Sequence, residues 1–195
     1  MNAIDRSGEH RHAGERLGPG MLVLVVGPSG AGKDTLIAYA RERLAGREDI
    51  SFARRRITRV VDATENHIAV DEDAFARAVT EGRYPLHWRA NGLRYALGEE
   101  VTADIARGRI VVANGSRATI AEARLRFANV KVVHVTAPPE VLAARIAARG
   151  RESGEEVLAR LAREPMLAAP PELRILNVDA VDAAGERLAA FLRGL

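Results

Sequence analysis

The sequence predicts an α/β fold in which a parallel sheet is covered on both faces by helices. Three observations support this class. A continuous apolar run with β-branched residues, typical of a buried parallel strand, occurs at residues 21–26, and further mainly apolar strands are predicted at 110–113, 130–136 and 173–178. Segments with a helical spacing of apolar residues separate these strands. The first strand runs directly into a glycine-rich turn that opens a helix, which is the setting of a phosphate-binding loop.

Length and composition restrict the class further. The chain has 195 residues, which suits one domain, and 47% of them are hydrophobic and 28% charged, as in soluble globular proteins. The longest uninterrupted apolar run, residues 21–26, is far shorter than the roughly 20 residues of a helix that spans a bilayer. We therefore expect no membrane association. The absence of cysteine excludes disulfides and thiolate metal sites and favours a cytoplasmic protein.

The charged residues indicate the kind of ligand. The formal net charge is +3, and all but two of the 29 basic residues are arginine; the two lysines are Lys33 and Lys131. These arginines are dispersed among acidic residues and are not clustered with aromatic residues, so no nucleic-acid partner is expected. The basic surplus instead favours a small, phosphorylated, anionic substrate.

The organisation of the chain follows from the same patterns. Residues 1–19 are polar and lack apolar periodicity, which predicts a disordered N-terminal arm before a single domain at 20–195. Between about 50 and 98, short alternating segments and the hairpin pair Asn91-Gly92 predict a small mixed insertion at the carboxyl edge of the sheet. Helices are predicted at 33–44, 140–148, 155–161 and 183–192.

The most informative motif is the glycine-rich turn at residues 27–35. Its glycines let several backbone N–H groups point at one anion, and the helix that follows adds positive potential. Lys33 supplies a mobile cation for the β- and γ-phosphates of a nucleotide, and is predicted to be catalytic. A lysine kept in an arginine-rich sequence indicates that a compact ammonium is needed here. The motif predicts an ATP-binding loop formed by Gly27, Pro28, Ser29, Gly30, Ala31, Gly32, Lys33, Asp34 and Thr35.

The end of this motif predicts a metal site. Asp34 stands where the general motif has Ser or Thr, and the hydroxyl follows one residue later at Thr35. A carboxylate would repel nearby phosphates unless a cation lay between them, and Mg²⁺ prefers oxygen ligands. Asp34 and Thr35 are therefore the predicted Mg²⁺ ligands, directly or through water. The other interpretation is that Asp34 faces solvent or caps a neighbouring group.

The Lys-x-Thr form of the loop resembles nucleoside monophosphate kinases, and motifs further along the chain resemble the guanylate kinase family. These motifs are Ile57-Thr58-Arg59, Glu65-Asn66-His67, Thr136-Ala137-Pro138-Pro139 and the arginine-rich stretch 145–152. The resemblance extends over about residues 21–192. It implies a P-loop core of the nucleoside monophosphate kinase type, an acceptor-binding insertion and an arginine lid at about 149–160.

Roles for single residues follow from this resemblance. It implies that Arg149 and Arg160 of the lid bring catalytic charge to the transferred phosphoryl group, and it leaves the roles of Arg145 and Arg151 open. Asn177 is implied on the adenine side of the ATP site. Arg59 and Tyr95 resemble members of the family's clamp on the acceptor phosphate, whose second arginine falls at Asp62 and whose other tyrosine falls at His67.

The acceptor site departs from guanylate kinase where guanine would be recognised. The carboxylates that accept the N–H groups of guanine are missing, and the corresponding stretches are Leu86-His87-Trp88 and Asn114-Gly115-Ser116-Arg117. These departures resemble the ribose 1,5-bisphosphate phosphokinase family of phosphonate utilisation. That resemblance implies ATP- and Mg²⁺-dependent phosphorylation of ribose 1,5-bisphosphate to 5-phosphoribosyl 1-diphosphate (PRPP). Its implied substrate-binding residues are Arg59, His67, Tyr95, Asn114, Ser116 and Arg117.

The two phosphates of such a substrate need separate cations. Arg59 is predicted to hold the 1-phosphate, and Arg117, at the end of a core strand, the 5-phosphate, with Arg94 as the reserve candidate. His67 is predicted to bind phosphate and not to act as a base. The remaining basic and aromatic candidates are interpreted as structural, packed or solvated: Arg54, Arg55, His87, Trp88 and His134.

Two other functions stay open at this stage. A guanylate kinase or another small-molecule P-loop kinase would share Lys33 and the lid. A non-catalytic binding module of guanylate-kinase type is disfavoured by the complete loop. The sequence also leaves a homodimer open.

Overall fold

The computed structural model describes residues 16–59, 67–148, 167–178 and 180–195. The predicted helix at 155–161 and lid residues Arg149, Arg151 and Arg160 lie outside these ranges. The strands described are β1 (Leu17–Val26), β2 (Ile50–Phe52), β3 (Arg55–Ile57), β4 (His67–Ala69), β5 (Leu86–Ala90), β6 (Leu93–Leu97), β7 (Ile110–Asn114), β8 (Phe127–Thr136) and β9 (Leu173–Leu176). The helices described are α1 (Lys33–Arg43), α2 (Glu72–Thr80), α3 (Glu99–Ala106), α4 (Ile120–Arg126), α5 (Pro139–Ala147) and α6 (Val181–Arg193).

The core sheet has the strand order β2-β7-β1-β8-β9, and all of its pairings are parallel. Alternate residues of β1 enter two separate apolar clusters. Val23 and Val25 pack with residues of α1, α5 and α6, whereas Leu22 and Leu24 pack with residues of α3 and α4. Because side chains alternate across a strand, this division requires helices on both faces of the sheet. The predicted fold class is confirmed.

The strand order places the functional edge of the sheet. β1 lies between β7 and β8, so the chain leaves the sheet in opposite directions on its two sides, which opens a crevice at the carboxyl ends of the strands. The register aligns Val25 with Asn114 and Val26 with His134. The glycine-rich loop after β1 and the segment after β7 therefore begin side by side.

A second, mixed sheet has the order β4-β3-β6-β5 and corresponds to the predicted insertion. Its hairpin between β5 and β6 turns at Asn91 and Gly92, with φ angles of 50° and 73°, as a type I′ turn requires. Leu86 and Leu97 of this hairpin join the core cluster that contains Leu22, so the second sheet is packed directly on the first.

Several predicted boundaries were wrong. β1 begins at Leu17, inside the expected arm, because Leu17 pairs with Phe127 and the Asn129 side chain donates to the carbonyl of Pro19 at 2.9 Å. Ile50–Phe52 is the edge strand of the core sheet and not part of the insertion. The missed helix α2 begins where the Asp71 carboxylate accepts a 2.8 Å hydrogen bond from the backbone of Ala74.

None of the described helices is both long and apolar enough to cross a membrane.

Candidate active site

The loop between β1 and α1 is shaped for backbone contact with an anion. Gly27, Gly30 and Gly32 all have positive φ, a conformation that L side chains rarely adopt. A Cβ added at Gly27 would collide with the backbone carbonyl oxygen of Val135. A Cβ added at Gly32 would collide with the side-chain amide nitrogen of Asn177. Gly32 is the N-cap residue of α1 and has no side chain that could accept a hydrogen bond. The N–H groups in the first turn of α1 therefore receive no side-chain cap from Gly32 and can point at an anion.

Lys33 lies at the mouth of this loop. Its ammonium donates hydrogen bonds of 2.8 Å to the carbonyl oxygens of both Gly27 and Pro28. The side chain is thus folded back over the loop, where phosphate oxygens would be cradled. A cation at this place can neutralise charge that develops on a transferring phosphoryl group.

Asn177 supports the loop from below. Its side chain is 4% exposed, and Nδ2 donates a 2.8 Å hydrogen bond to the carbonyl of Ala31. The backbone carbonyl oxygen of Asn177 accepts a 2.9 Å hydrogen bond from the guanidinium of Arg145 on α5. In this structure Asn177 and Arg145 therefore hold the loop and the end of β9 together. The adenine contact of Asn177 stays a prediction.

Two adjoining cavities lie between the loop and the second sheet. The larger has a volume of about 460 Å³ and the smaller about 160 Å³. Residues that border both cavities are Ser29, Lys33, Arg55, Asn91, Tyr95 and Asn114. The larger cavity is bordered in addition by Gly27, Trp88, Ala90, Gly115, Ser116, Arg117 and Ala118. The smaller is bordered in addition by Gly30, Gly32, Asp34, Thr35, Ile57 and Arg59.

The two cavities bring most of the predicted acceptor residues together. Arg59 lies at the smaller cavity beside the predicted metal ligands, and Arg117 and Ser116 lie at the larger one. His67 does not join them: it is 1% exposed within β4 and borders neither cavity. The reserve candidate Arg94 also borders neither, because its guanidinium lies 3.1 Å from the carboxylate of Glu72.

Arg55 was expected to be structural or solvated. Its side chain is 15% exposed and paired with Asp34, which agrees with the structural alternative, and it also borders both cavities. Its Nη2 lies 3.1 Å from each carboxylate oxygen of Asp34, and its guanidinium lies 5.8 Å from the ring centroid of Tyr95. The period-two alternation of a strand was the available signal, since Arg55, Ile57 and Arg59 all border the smaller cavity.

Asp34 joins three parts of the site. Besides Arg55, its Oδ1 accepts a 2.7 Å hydrogen bond from Nδ2 of Asn114 at the end of β7. The carboxylate is 60% exposed and borders the smaller cavity with Thr35. No group of three or more His, Cys, Asp or Glu that could hold a metal occurs among the described residues. One carboxylate and one hydroxyl fit Mg²⁺, which commonly keeps water and substrate phosphates as its other ligands.

An aromatic wall closes part of the larger cavity. The rings of Trp88 and Tyr95 are stacked, with centroids 5.6 Å apart and planes inclined by 9°. Trp88 was expected to be packed, and this stacking agrees, but its edge also borders the cavity. Since Trp88 is the single tryptophan of the chain, its fluorescence can report on ligands that enter there.

His134 lies on β8 near this charged region. Burial lowers its pKa below the ordinary value of 6.5, and the positive charges of Arg117, Arg174 and Lys33 lower it further. Neither ring nitrogen has a hydrogen-bond partner among the described residues. His134 is therefore neutral at neutral pH. The lowering of its pKa by nearby cations reflects the positive electrostatic potential of the site.

These features define a P-loop kinase. The core is a parallel sheet with a glycine-rich phosphate loop after its central strand, and the loop borders a cationic cavity shared with the second sheet. Solved structures agree on the fold. Guanylate kinase from Anaplasma phagocytophilum superposes with a TM-score of 0.60, 17% identity and coverage of 92% of this chain and 87% of that chain. A sugar kinase from Janibacter sp. HTCC2649 superposes with a TM-score of 0.52, 19% identity and coverage of 90% and 95%.

Sequence comparisons identify the family. A family model described as an AAA domain matches residues 23–162. Ribose 1,5-bisphosphate phosphokinase PhnN of Methylobacterium radiotolerans is 53% identical over 175 residues, which cover 90% of this chain and 98% of the relative. The protein of the same name from Bradyrhizobium diazoefficiens is 46% identical, with coverage of 91% and 90%. The chain therefore has an AAA-type P-loop domain and belongs to the ribose 1,5-bisphosphate phosphokinase family. The predicted resemblance and the assignment as a kinase are confirmed.

Proposed function

We propose that this protein transfers the γ-phosphoryl group of ATP to the 1-phosphate of ribose 1,5-bisphosphate, which yields 5-phosphoribosyl 1-diphosphate and ADP. One observation carries the choice of acceptor. The described residues that border the larger cavity include three cations, Lys33, Arg55 and Arg117, and no carboxylate. A guanine base needs acceptors for its N–H donors, whereas a second phosphate needs cations. The printed names of the relatives support the same substrate.

The reaction is an in-line displacement. An oxygen of the 1-phosphate attacks the γ-phosphorus, and the bond from that phosphorus to the β,γ-bridging oxygen breaks as the new bond forms. The attacking phosphate is already largely ionised at neutral pH, since its second pKa is near 6, so no general base is required. This explains how the site can work with His67 buried away from both cavities.

Each residue of the site has a stated task in this proposal. Lys33 neutralises charge at the transferring phosphoryl group, Arg59 and Tyr95 hold the 1-phosphate, and Arg117 with Ser116 holds the 5-phosphate. Mg²⁺, held through Asp34 and Thr35, would supply further charge neutralisation at the phosphates of ATP. Arg149 and Arg160 of the lid would complete the positive surroundings.

Product identification tests the proposal. The purified full-length protein is incubated with ATP, Mg²⁺ and either ribose 1,5-bisphosphate or GMP, and the products are identified by mass spectrometry. We expect 5-phosphoribosyl 1-diphosphate and ADP from the first mixture, and far less ADP from the second. Conversion of GMP to GDP at an equal or higher kcat/KM would show a guanylate kinase. Tight ATP binding without either product would show a non-catalytic module.

A further inference from the structure

Arg55 lies between the two ends of the acceptor site. Arg59 borders only the smaller cavity and Arg117 only the larger, whereas Arg55 borders both. The phosphate loop borders both cavities, and Asp34 and Thr35 border the smaller one. An acceptor phosphate that reacts with the γ-phosphate has to lie beside this loop, near the junction of the two cavities. Arg55 is at this junction, together with Lys33 and Tyr95.

The contacts of Arg55 leave it able to bind an anion. Its pairing with Asp34 uses one nitrogen, Nη2, shared between two oxygens at 3.1 Å each. This is weaker than the two parallel hydrogen bonds that a guanidinium makes with a well-placed carboxylate or phosphate. Asp34 is 60% exposed, so its attraction for Arg55 is screened by water. A phosphate carries about two negative charges and three acceptor oxygens, and so outcompetes this single carboxylate.

Arg55 can serve as a second arginine beside Arg59 at the acceptor phosphate. The resemblance to guanylate kinases implies a second clamp arginine at the position that Asp62 occupies here, so a further cation beside Arg59 has to come from elsewhere in the chain. Arg55 lies on β3 and Arg59 lies two residues beyond its end, and both border the smaller cavity. Two guanidinium groups that border the same cavity can both donate hydrogen bonds to one phosphate.

We infer that Arg55 is a second ligand of the acceptor's 1-phosphate. In the ligand-free protein, Asp34 holds the guanidinium of Arg55 in place. On substrate binding Arg55 exchanges the Asp34 carboxylate for the phosphate, which leaves that carboxylate open toward the metal. The inference rests on the proposed function, because it needs an acceptor with a 1-phosphate beside the loop. It adds a specificity-determining residue that neither Lys33 nor Arg59 replaces.

Binding without turnover tests this role. The full-length protein, without nucleotide or Mg²⁺, is titrated with ribose 1-phosphate, ribose 5-phosphate and ribose 1,5-bisphosphate, and Trp88 fluorescence is followed. Arg55→Gln is expected to raise the Kd of ribose 1-phosphate and of the bisphosphate roughly 10- to 100-fold, and to leave that of ribose 5-phosphate unchanged. Arg55→Lys keeps the positive charge but not the planar guanidinium that can donate two parallel hydrogen bonds. Its Kd for ribose 1-phosphate should therefore lie between those of the parent protein and Arg55→Gln.

Two further variants separate the role of Arg55 from general charge. Arg89→Gln removes an exposed arginine of the same sheet that borders neither cavity, and should leave every Kd unchanged. Asp34→Asn removes the competing carboxylate and should lower the Kd of ribose 1-phosphate about two- to fivefold in the absence of metal. In the double variant with Arg55→Gln this gain should disappear.

Each contrary result has its own meaning. An unchanged Kd of ribose 1-phosphate in both Arg55 variants overturns the inference, as does an equal effect of Arg89→Gln. A selective loss of ribose 5-phosphate binding would move Arg55 to the other phosphate and also overturn it. Failure of the parent protein to form 5-phosphoribosyl 1-diphosphate overturns the proposed function itself. Product formation with unaltered acceptor binding in Arg55→Gln overturns only the role of Arg55.

Discussion

The amide of Asn114 donates a 2.7 Å hydrogen bond to the carboxylate of Asp34, which ties the carboxyl end of β7 to the first turn of α1. These residues are far apart in sequence, yet the parallel register of β1 and β7 brings the phosphate loop and the segment after Asn114 to one edge. A neutral amide stands here beside the predicted metal ligands. Among the described residues that border the smaller cavity, Asp34 supplies the carboxylate, and it is the residue proposed to hold Mg²⁺.

Asp34→Asn is expected to raise the Mg²⁺ concentration needed for half-maximal activity, because a neutral amide is a poorer ligand for this hard cation. The measurement is the rate of ADP formation at fixed ATP across a Mg²⁺ series. Asp73→Asn, in the exposed first turn of α2, is the matched control and should behave like the parent protein. Overlaying Mg²⁺ curves for Asp34→Asn and Asp73→Asn would refute the metal role.

Lys33→Ala is expected to lower kcat by at least about 100-fold while the fold is kept, because the ammonium stabilises charge on the transferring phosphoryl group. Two of its hydrogen bonds reach carbonyls of the loop and not the apolar core. Circular dichroism and the urea midpoint would check the fold, and Lys131→Ala on β8 serves as the lysine control. A folded Lys33→Ala variant with near-normal kcat would remove the basis for the P-loop assignment.

Gly32→Ala is expected to weaken ATP binding, because Gly32 has a φ of 86° and an added Cβ would displace the Asn177 amide that supports the loop. Gly46→Ala is the matched control, since nothing lies within 4 Å of a Cβ added there. Calorimetric titration with ATP and Mg²⁺ measures the effect. Equal ATP affinity in the two variants would mean that the loop tolerates the change and that its geometry is less restrictive than the structure indicates.

Arg117→Ala is expected to lower kcat/KM for ribose 1,5-bisphosphate roughly 10- to 100-fold, since a charge-assisted contact of this kind contributes about 1.5 to 3 kcal/mol. The affinity for ATP should hardly change, because Arg117 borders only the larger cavity. Arg89→Gln provides the control for the loss of one positive charge. Full activity of Arg117→Ala, or a selective loss of ATP binding, would place the second phosphate elsewhere.

His134 predicts a pH dependence of stability. Its pKa in the folded protein is below 6.5, so as the pH falls past that value the unfolded chain takes up a proton that the folded protein resists. The free energy of unfolding should therefore decrease as the pH falls from about 7 toward the lowered pKa. In His134→Gln this part of the decrease should be absent.

Urea unfolding at several pH values between about 5 and 8 measures this dependence. His87→Gln is the control for the loss of a partly buried histidine, because His87 lies on β5 of the second sheet and not on β8. An identical pH profile for the parent protein and His134→Gln would show that the group is not responsible. The sign is specific: a stability that rises as the pH is lowered through this range would also contradict the prediction.

Local sequence patterns specify the class of fold, the phosphate loop and the hairpin. Each depends on local rules: apolar runs predict buried strands, glycines with positive φ form the loop at residues 27–32, and Asn91-Gly92 selects a type I′ turn. The resemblance to the family of bisphosphate kinases also came from short motifs, which the similar proteins confirm. These features do not require knowledge of which distant segments meet.

The set of side chains that border the site depends instead on long-range packing. Arg55 reaches Asp34 because the second sheet packs on the core sheet through Leu86 and Leu97, a contact that no local pattern specifies. The burial of His67, which borders neither cavity, is likewise a property of the folded chain. The position of His134 beside Arg117 and Lys33 depends on the parallel register of β8 with β1. Register and sheet packing are long-range properties, since they arise from the burial of apolar faces contributed by segments distant in sequence.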